Sequence, residues 1–442
     1  MKWALFSILI LVLSACSHTK KTASTEVTPI ITPKTEQAPG TRPQTGPKTE
    51  TPVTPADTSG KKQEKKDEEK TAGKEKNYSN IAVILPFMTS KVPLNYTPFD
   101  IDTNIYLSPE MIQSLDFYMG MRLAVDDFRN KGKKINLFVL DDANNDAQTK
   151  KLLNERPFPD VDLIIGPYKN GISKDLLQFA DKNDIPVVSP FLADPGVNVA
   201  SEHFYAATPS LQQQLVRLVG QAVEQFPERP FYIIWDPAED SSKLISQLAE
   251  GILKNNFNRT PVRLSYSSAQ VQDTDTSPFS FIPDASSFVL VASTKDALVK
   301  SVLPRLVHPS YSIQVLGMPN WSTFKGLDSE ANPNPNILIP GFGNMLVNKA
   351  EREQFSSRYQ NEFQVEESLT SFLGYDLVNY LLSVTDSGLT EQMNSSGSLR
   401  IKPYAFQFDF VPVVQDNRTR YYTNNITQLL KWEKGKFTFI KN

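Results

Sequence analysis

Residues 166–173 read Gly-Pro-Tyr-Lys-Asn-Gly-Ile-Ser, one residue away from a phosphate-binding loop. Ile172 stands where that loop needs the lysine that reaches the β and γ phosphates, so nucleotide hydrolysis is not expected. Gly341-Phe342-Gly343 lacks the third glycine of a dinucleotide fingerprint and reads as a turn. The acidic run Asp141-Asp142-Ala143-Asn144-Asn145-Asp146 has neither the central glycine nor the terminal glutamate of a calcium loop, and is expected to be a solvated turn capping a helix. The histidines are His18, His203 and His308, too far apart for a His-x-x-x-His metal pair. No G-x-S-x-G elbow is present, and one cysteine, Cys16, excludes disulfides within the chain and a cysteine-rich metal site. The chain is therefore expected to be no enzyme and to carry no cofactor or metal.

The elements that position the remaining polar residues begin with residues 161–191. Val161 to Ile165 is a short apolar run without alternation, Gly166 to Gly171 a loop, Ile172 to Lys182 a helix and Pro186 to Val188 a second buried run. That is a βαβ unit with parallel strands covered on both faces. Loops leaving the carboxyl ends of such strands line a ligand crevice, which puts Tyr168, Lys169, Asn170, Ser189 and Phe191 where small molecules bind. Upstream, Ile81 to Phe87 is the first strand. Ser108, Pro109 and Glu110 start a helix that ends before Gly132, with Phe117, Met121, Ala124, Val125 and Phe128 on its core face. Ile135 to Leu140 is the second strand, so four strands make a first sheet.

Downstream, Pro209-Ser210 opens a helix from Leu211 to Phe226, and the βα rhythm restarts. Strands are expected at Phe231 to Trp235, Val262 to Tyr266, Phe288 to Ala292, Ile313 to Leu316 and Ile337 to Pro340. Helices are expected at Ser242 to Asn255, Lys295 to Leu306, Glu351 to Phe363 and Ser368 to Leu382. In the tail, Phe406, Phe408 and Phe410 alternate, and two short strands follow around Leu429 to Trp432 and Phe437 to Ile440.

The amino terminus has a different character. Lys2, the apolar run Ala4 to Leu13 and Leu13-Ser14-Ala15-Cys16 form a secretion signal too short to span a bilayer. The tetrapeptide resembles the bacterial lipobox, which implies cleavage before Cys16, lipidation of that residue and, with Ser17 following, an outer-membrane address facing the periplasm. Ser17 to Lys76 has no aromatic residue and abounds in Thr, Pro, Lys and Glu, so it is expected to be a disordered tether. A coil of about 60 residues spans roughly 40 Å on average. Across 442 residues the formal net charge is -3, leaving no basic excess for a nucleic-acid partner.

The ordered pieces IAVILPF, FYMGMRLAVDDF, INLFVLDD, IIGPYKNGIS, IPVVSPF, FYAATPS, FSSRYQNEF, GYDLVNYLL and TQLLKWEKGKF resemble the type I periplasmic-binding-protein superfamily, in the branch of the leucine/isoleucine/valine-binding proteins. The resemblance implies an α/β protein of two lobes, each a mostly parallel sheet flanked by helices, joined by three crossovers around a ligand cleft. It divides the chain into signal peptide 1–15, lipid-anchored tether 16–78 and binding-protein-like domain 79–442. Lobe one is expected from 79–208 and 336–395, and lobe two from 209–335 and 396–442. It implies ligand contacts from Tyr168, Lys169, Asn170, Ser189, Phe191 and Asp194 in lobe one and from Asp236, Ser293 and Trp321 in lobe two. The serine-rich loop of the amino-acid binders is replaced by Pro167 to Gly171, and Asp194 would repel a carboxylate unless Lys169 balances it. The expected function is binding of a small polar solute, of the amino acid or peptide class, as the substrate-binding component of an ABC-type transport system or a sensor, with an ABC permease as partner. The alternative is a scaffold or activator of a cell-wall synthesis enzyme, a peptidoglycan synthase, with a vestigial cleft.

Overall fold

The structure, a computed structural model, describes residues 80–92, 107–155, 160–168, 174–193, 200–266, 285–306, 312–327, 336–384, 402–433 and 435–440. Cys16, the tether, Lys169, Asn170 and Asp194 lie outside them. No described helix is long and apolar enough to cross a membrane.

Five strands open the first half: β1 (Asn80–Leu85), β2 (Asn136–Asp141), β3 (Leu163–Ile165), β4 (Val187–Ser189) and β5 (Phe204–Ala206). Helices α1 (Pro109–Asn130), α2 (Asp146–Glu155) and α3 (Lys174–Asn183) are interleaved with them. The second half runs α4 (Leu211–Gln225), β6 (Phe231–Trp235), α5 (Asp240–Phe257), β7 (Val262–Ser265), β8 (Ser287–Val291), α6 (Asp296–Val302), β9 (Ile313–Leu316) and β10 (Ile337–Gly341). Helices α7 (Lys349–Phe363) and α8 (Leu369–Ser383) follow, then β11 (Phe410–Gln415), β12 (Arg418–Asn424), β13 (Gln428–Glu433) and β14 (Lys436–Phe439).

Among the described residues the strands form two seven-stranded sheets, ordered β11-β12-β5-β4-β3-β1-β2 and β14-β13-β10-β9-β8-β6-β7. All pairings are parallel except β11 with β12, β10 with β13 and β13 with β14. Every residue from Ile81 to Leu85 is fully buried, as expected for a strand covered on both faces. Ile81, Val83 and Leu85 meet the core under α1 and α8, whereas Ala82 and Ile84 meet the one under α3. A third core holds the second sheet together with α4, α5 and α6.

Two expectations change. The first sheet has seven strands rather than four, because Phe204–Ala206 extends it and the β11–β12 hairpin, not foreseen from the tail, pairs beside it through Tyr422 and Thr423. For the same reason the expected lobe boundaries are displaced. Residues of β10 belong with the second sheet, where Ile337 pairs with Val315, while β11 and β12 belong with the first. Phe406 and Phe408 precede β11 and pack around Phe342 instead of lying in a strand.

The first lobe depends on α1 meeting α8 at backbone distance. Its sequence permits this through Gly120 and Gly374: a Cβ on Gly120 would stand 1.8 Å from the Ser371 carbonyl oxygen, and one on Gly374 2.1 Å from that of Phe117. At the edge of the contact the Arg358 guanidinium reaches Asp127 at 2.8 Å, and the Tyr375 hydroxyl donates to the same carboxylate at 2.7 Å. Gly120→Ala should push the helices apart and lower stability by about 3 kcal/mol, read from urea unfolding.

Asp376, on α8, is 2% exposed and accepts from the backbone N–H groups of Tyr404, Ala405 and Phe406 at 2.7–2.8 Å. Burial pushes its carboxyl up to about 7 against the pull of those three donors. The folded state thus holds this proton more tightly than the unfolded chain, whose value is 3.8. Its contribution to stability is present at low pH and is lost as pH rises towards about 7, by at most about 1.4 kcal/mol per pH unit. Denaturant midpoints between pH 5 and 7 should show that slope in the wild type and a shallower one in Asp376→Asn.

Candidate functional site

At the carboxyl ends of the first sheet, β3 runs into Gly166, at φ 133°, whose missing Cβ would lie 2.1 Å from the Ile84 carbonyl oxygen. The chain then turns through a cis peptide to Pro167 and presents Tyr168. The Tyr168 ring lies 4.8 Å from Phe191, which packs edge-on against Phe117 at 5.5 Å. The Tyr168 hydroxyl donates to Gln113 of α1, and burial together with the nearby Glu110 raises its pKa, so it stays a neutral phenol. Phe87 meets Tyr118 at 5.7 Å further along the same helix. Tyr168 and Phe191, both half-buried, are therefore brought together on an aromatic wall.

Ser189 is not on that wall. It is fully buried, donates to the Pro167 carbonyl at 2.8 Å and accepts from the Leu192 N–H at 3.3 Å, so it shapes the loops instead of offering a hydroxyl. The acidic run after β2 is likewise consumed by its turn. Burial opposes ionisation of Asp141, but hydrogen bonds from Thr89, Ala143 and Met88 outweigh it and hold its carboxyl below the usual range. Burial, with Asp141 and Asp146 nearby, raises Asp142, which accepts from Asn144 N–H.

On the second sheet the expected residues are again structural. Asp236 is 4% exposed and its carboxylate accepts from Ala238 N–H at 2.9 Å, setting the turn into α5. Ser293 is fully buried, donating to Glu239 at 3.1 Å and accepting from Lys295 N–H at 3.0 Å. Trp321 is fully buried too; its indole N–H donates to the Ser293 carbonyl at 2.9 Å and its ring fills the space over Gly317. It belongs to the core and cannot stack a ligand.

Three residues that the sequence reading did not single out take their place. Glu239, Thr294 and Asn320 follow β6, β8 and β9, which are neighbours in the sheet. Glu239 accepts from the hydroxyls of Ser241 (2.6 Å), Ser293 (3.1 Å) and Thr294 (3.4 Å). Asn320 donates to the Thr294 carbonyl at 2.9 Å, and its Oδ1 is buried with no partner. Asp296 Oδ1, at the start of α6, is also buried and unpartnered. The available signal was position: Glu239, Thr294 and Asn320 each lie three or four residues past an apolar strand. A pair of polar surface grooves lies at the opposite ends of the strands, one beside Asp181, His203 and Arg420, the other beside Gln221, Arg229 and Gln314.

Residues 112–297 match the family model described as periplasmic binding protein. In fold the chain is similar to a putative branched-chain amino acid ABC transporter protein from Rhodospirillum rubrum, with TM-score 0.59 and 15% identity over 82% of this chain and 99% of that one. An ABC transporter substrate-binding protein from Desulfitobacterium hafniense in complex with Leu gives 0.50 and 16%, again over 82% and 99%. Haemophilus influenzae LpoA gives 0.52 and 10%, over 84% of this chain and 60% of that one. No curated protein matches in sequence. With two mostly parallel seven-stranded sheets and the matched segment at 112–297, the chain has the two-lobed fold of the type I periplasmic binding proteins.

Proposed function

We propose that this protein is a non-enzymatic envelope protein that binds a small polar solute of the amino acid or peptide class between its lobes, as the substrate-binding component of an ABC-type transport system or a sensor. The observation that carries the reading is the pairing of chemistries at the two sets of strand ends. One lobe offers the aromatic face of Tyr168 and Phe191, and the other an acceptor set of Glu239 with the unpartnered oxygens of Asn320 and Asp296. A ligand with an ammonium group and an apolar body satisfies both, the charge-assisted bond to Glu239 being the stronger contact. Closure of the lobes would then exclude water. Lipidation at Cys16, with the outer membrane as anchor and the periplasm as location, belongs to the same proposal. So does an ABC permease as partner.

A second reading is favoured by Ser189, Ser293 and Trp321, all bonded inside the protein. It makes the domain a scaffold or activator of a cell-wall synthesis enzyme; the similar fold of LpoA, a regulator of PBP1A, fits this reading. Native mass spectrometry of the full chain, followed by calorimetry with free amino acids and short peptides, separates the two. The first reading expects a stoichiometric ligand whose affinity falls at least tenfold, about 1.4 kcal/mol, in Glu239→Gln and in Tyr168→Ala. No bound molecule and no thermal shift across the panel would sink it and favour the second.

A further inference from the structure

The chain passes between the two sheets three times: after β5, after β10 and after β12. At the first and third passages the polar bonding is lopsided, and the second is tied to the first lobe as well. Asn424, the last residue of β12, is fully buried, and its amide uses its whole capacity on backbone. Its Nδ2 donates to the carbonyls of Ala207 and Gln407, both at 3.0 Å, and its Oδ1 accepts from the N–H groups of Asp409 (3.0 Å) and Ile426 (3.1 Å). The neighbouring Thr423 hydroxyl accepts from Ser210 N–H at 3.1 Å. The first and third passages are thus tied to the β12 end.

The second passage is tied through Asp376. Its carboxylate holds residues 404–406, whose carbonyls at Tyr404 and Ala405 accept from Leu346 and Asn344 N–H at 2.7 and 2.9 Å. Asp376 sits on α8, in the core of the first lobe. On the second-lobe side of the first and third passages the bonding is incomplete. Gln214 Oε1 on α4, Thr427 Oγ1 and Gln428 Oε1 on β13 are buried with no partner. Buried oxygens without donors are uncommon and costly in a settled native state. Here three of them lie on the second-lobe side of the first and third passages.

We infer that Asn424, seconded by Asp376, fastens all three passages to the first lobe, so that the second lobe is the moving body and pivots at Ser210, Phe342 and Thr427. Each pivot is the residue between a bonded first-lobe end and the next second-lobe element: Ser210 before α4, Phe342 after β10 and Thr427 before β13. Asn424 is a positioning residue that touches no ligand, and the inference holds whether or not the cleft takes a solute.

Hydrogen exchange by mass spectrometry on the ligand-free full chain tests it. In Asn424→Ala, the segments around Ser210, Asp409 and Ile426 should exchange together at least tenfold faster, while β3 and β8 keep wild-type rates. Asn424→Asp, which keeps the acceptor and loses both donors, should accelerate the segments bearing Asp409 and Ile426 less than Asn424→Ala does, and those bearing Ala207 and Gln407 at least as much. Thr427→Val, which removes one unpartnered hydroxyl from the other side, should leave the Ser210 and Asp409 segments at wild-type rates. The interlobe distance distribution from small-angle scattering should broaden in both Asn424 variants and not in Thr427→Val. Acceleration confined to residues 424–428, or spread evenly over both sheets, would overturn the assignment.

Discussion

Burial of parallel strands on both faces is the constraint on which everything else in this molecule rests. Strands such as β1, β3 and β8 have no solvent face, so none of their side chains can take part in recognition without breaking a core. Polar chemistry is thereby driven to the strand ends. There the backbone leaves the ladder and its N–H and C=O groups need new partners, so most of the serines and aspartates found there are spent on holding loops. Ser189, Asp236 and Ser293 are examples, and what remains for a ligand is what the loops do not use.

That division explains what could be read in the amino acids alone. The helix starts were plain, because Ser108, Ser210 and Ser368 each cap a helix with a side-chain oxygen, a local interaction with a local signature. The apolar strands of both sheets were plain for the same reason. Strand partnership was not: β10 and the β11–β12 hairpin join sheets according to which edge is free, and nothing within either segment records that edge. Trp321 looked like a stacking platform because its type suits one. Only the position of its indole under Ser293 and over Gly317 makes it core.

The two lobes also differ in electrical character at their facing ends. The first presents neutral rings, with a phenol kept protonated by burial, and the Asp141 carboxylate beside it is engaged by the N–H groups of Met88 and Thr89. The second presents a carboxylate steadied by three hydroxyl donors. On the proposed reading, a ligand entering between them would be oriented by charge on one side and by shape on the other, which would separate specificity for the head group from tolerance of the body.

The close contact of α1 with α8 has a consequence for the order in which the molecule assembles. Gly120 and Gly374 are separated by the whole second-lobe βα series, so the groove that Gly120 opens on α1 stays empty until α8 has left the ribosome and reached it. The second sheet, by contrast, gathers five strands from one uninterrupted stretch, β6 to β10. Both lobes still take their last strands from the tail, β11–β12 and then β13–β14, but a chain cut short after β10 carries an exposed apolar face on α1 where the finished protein has a seam.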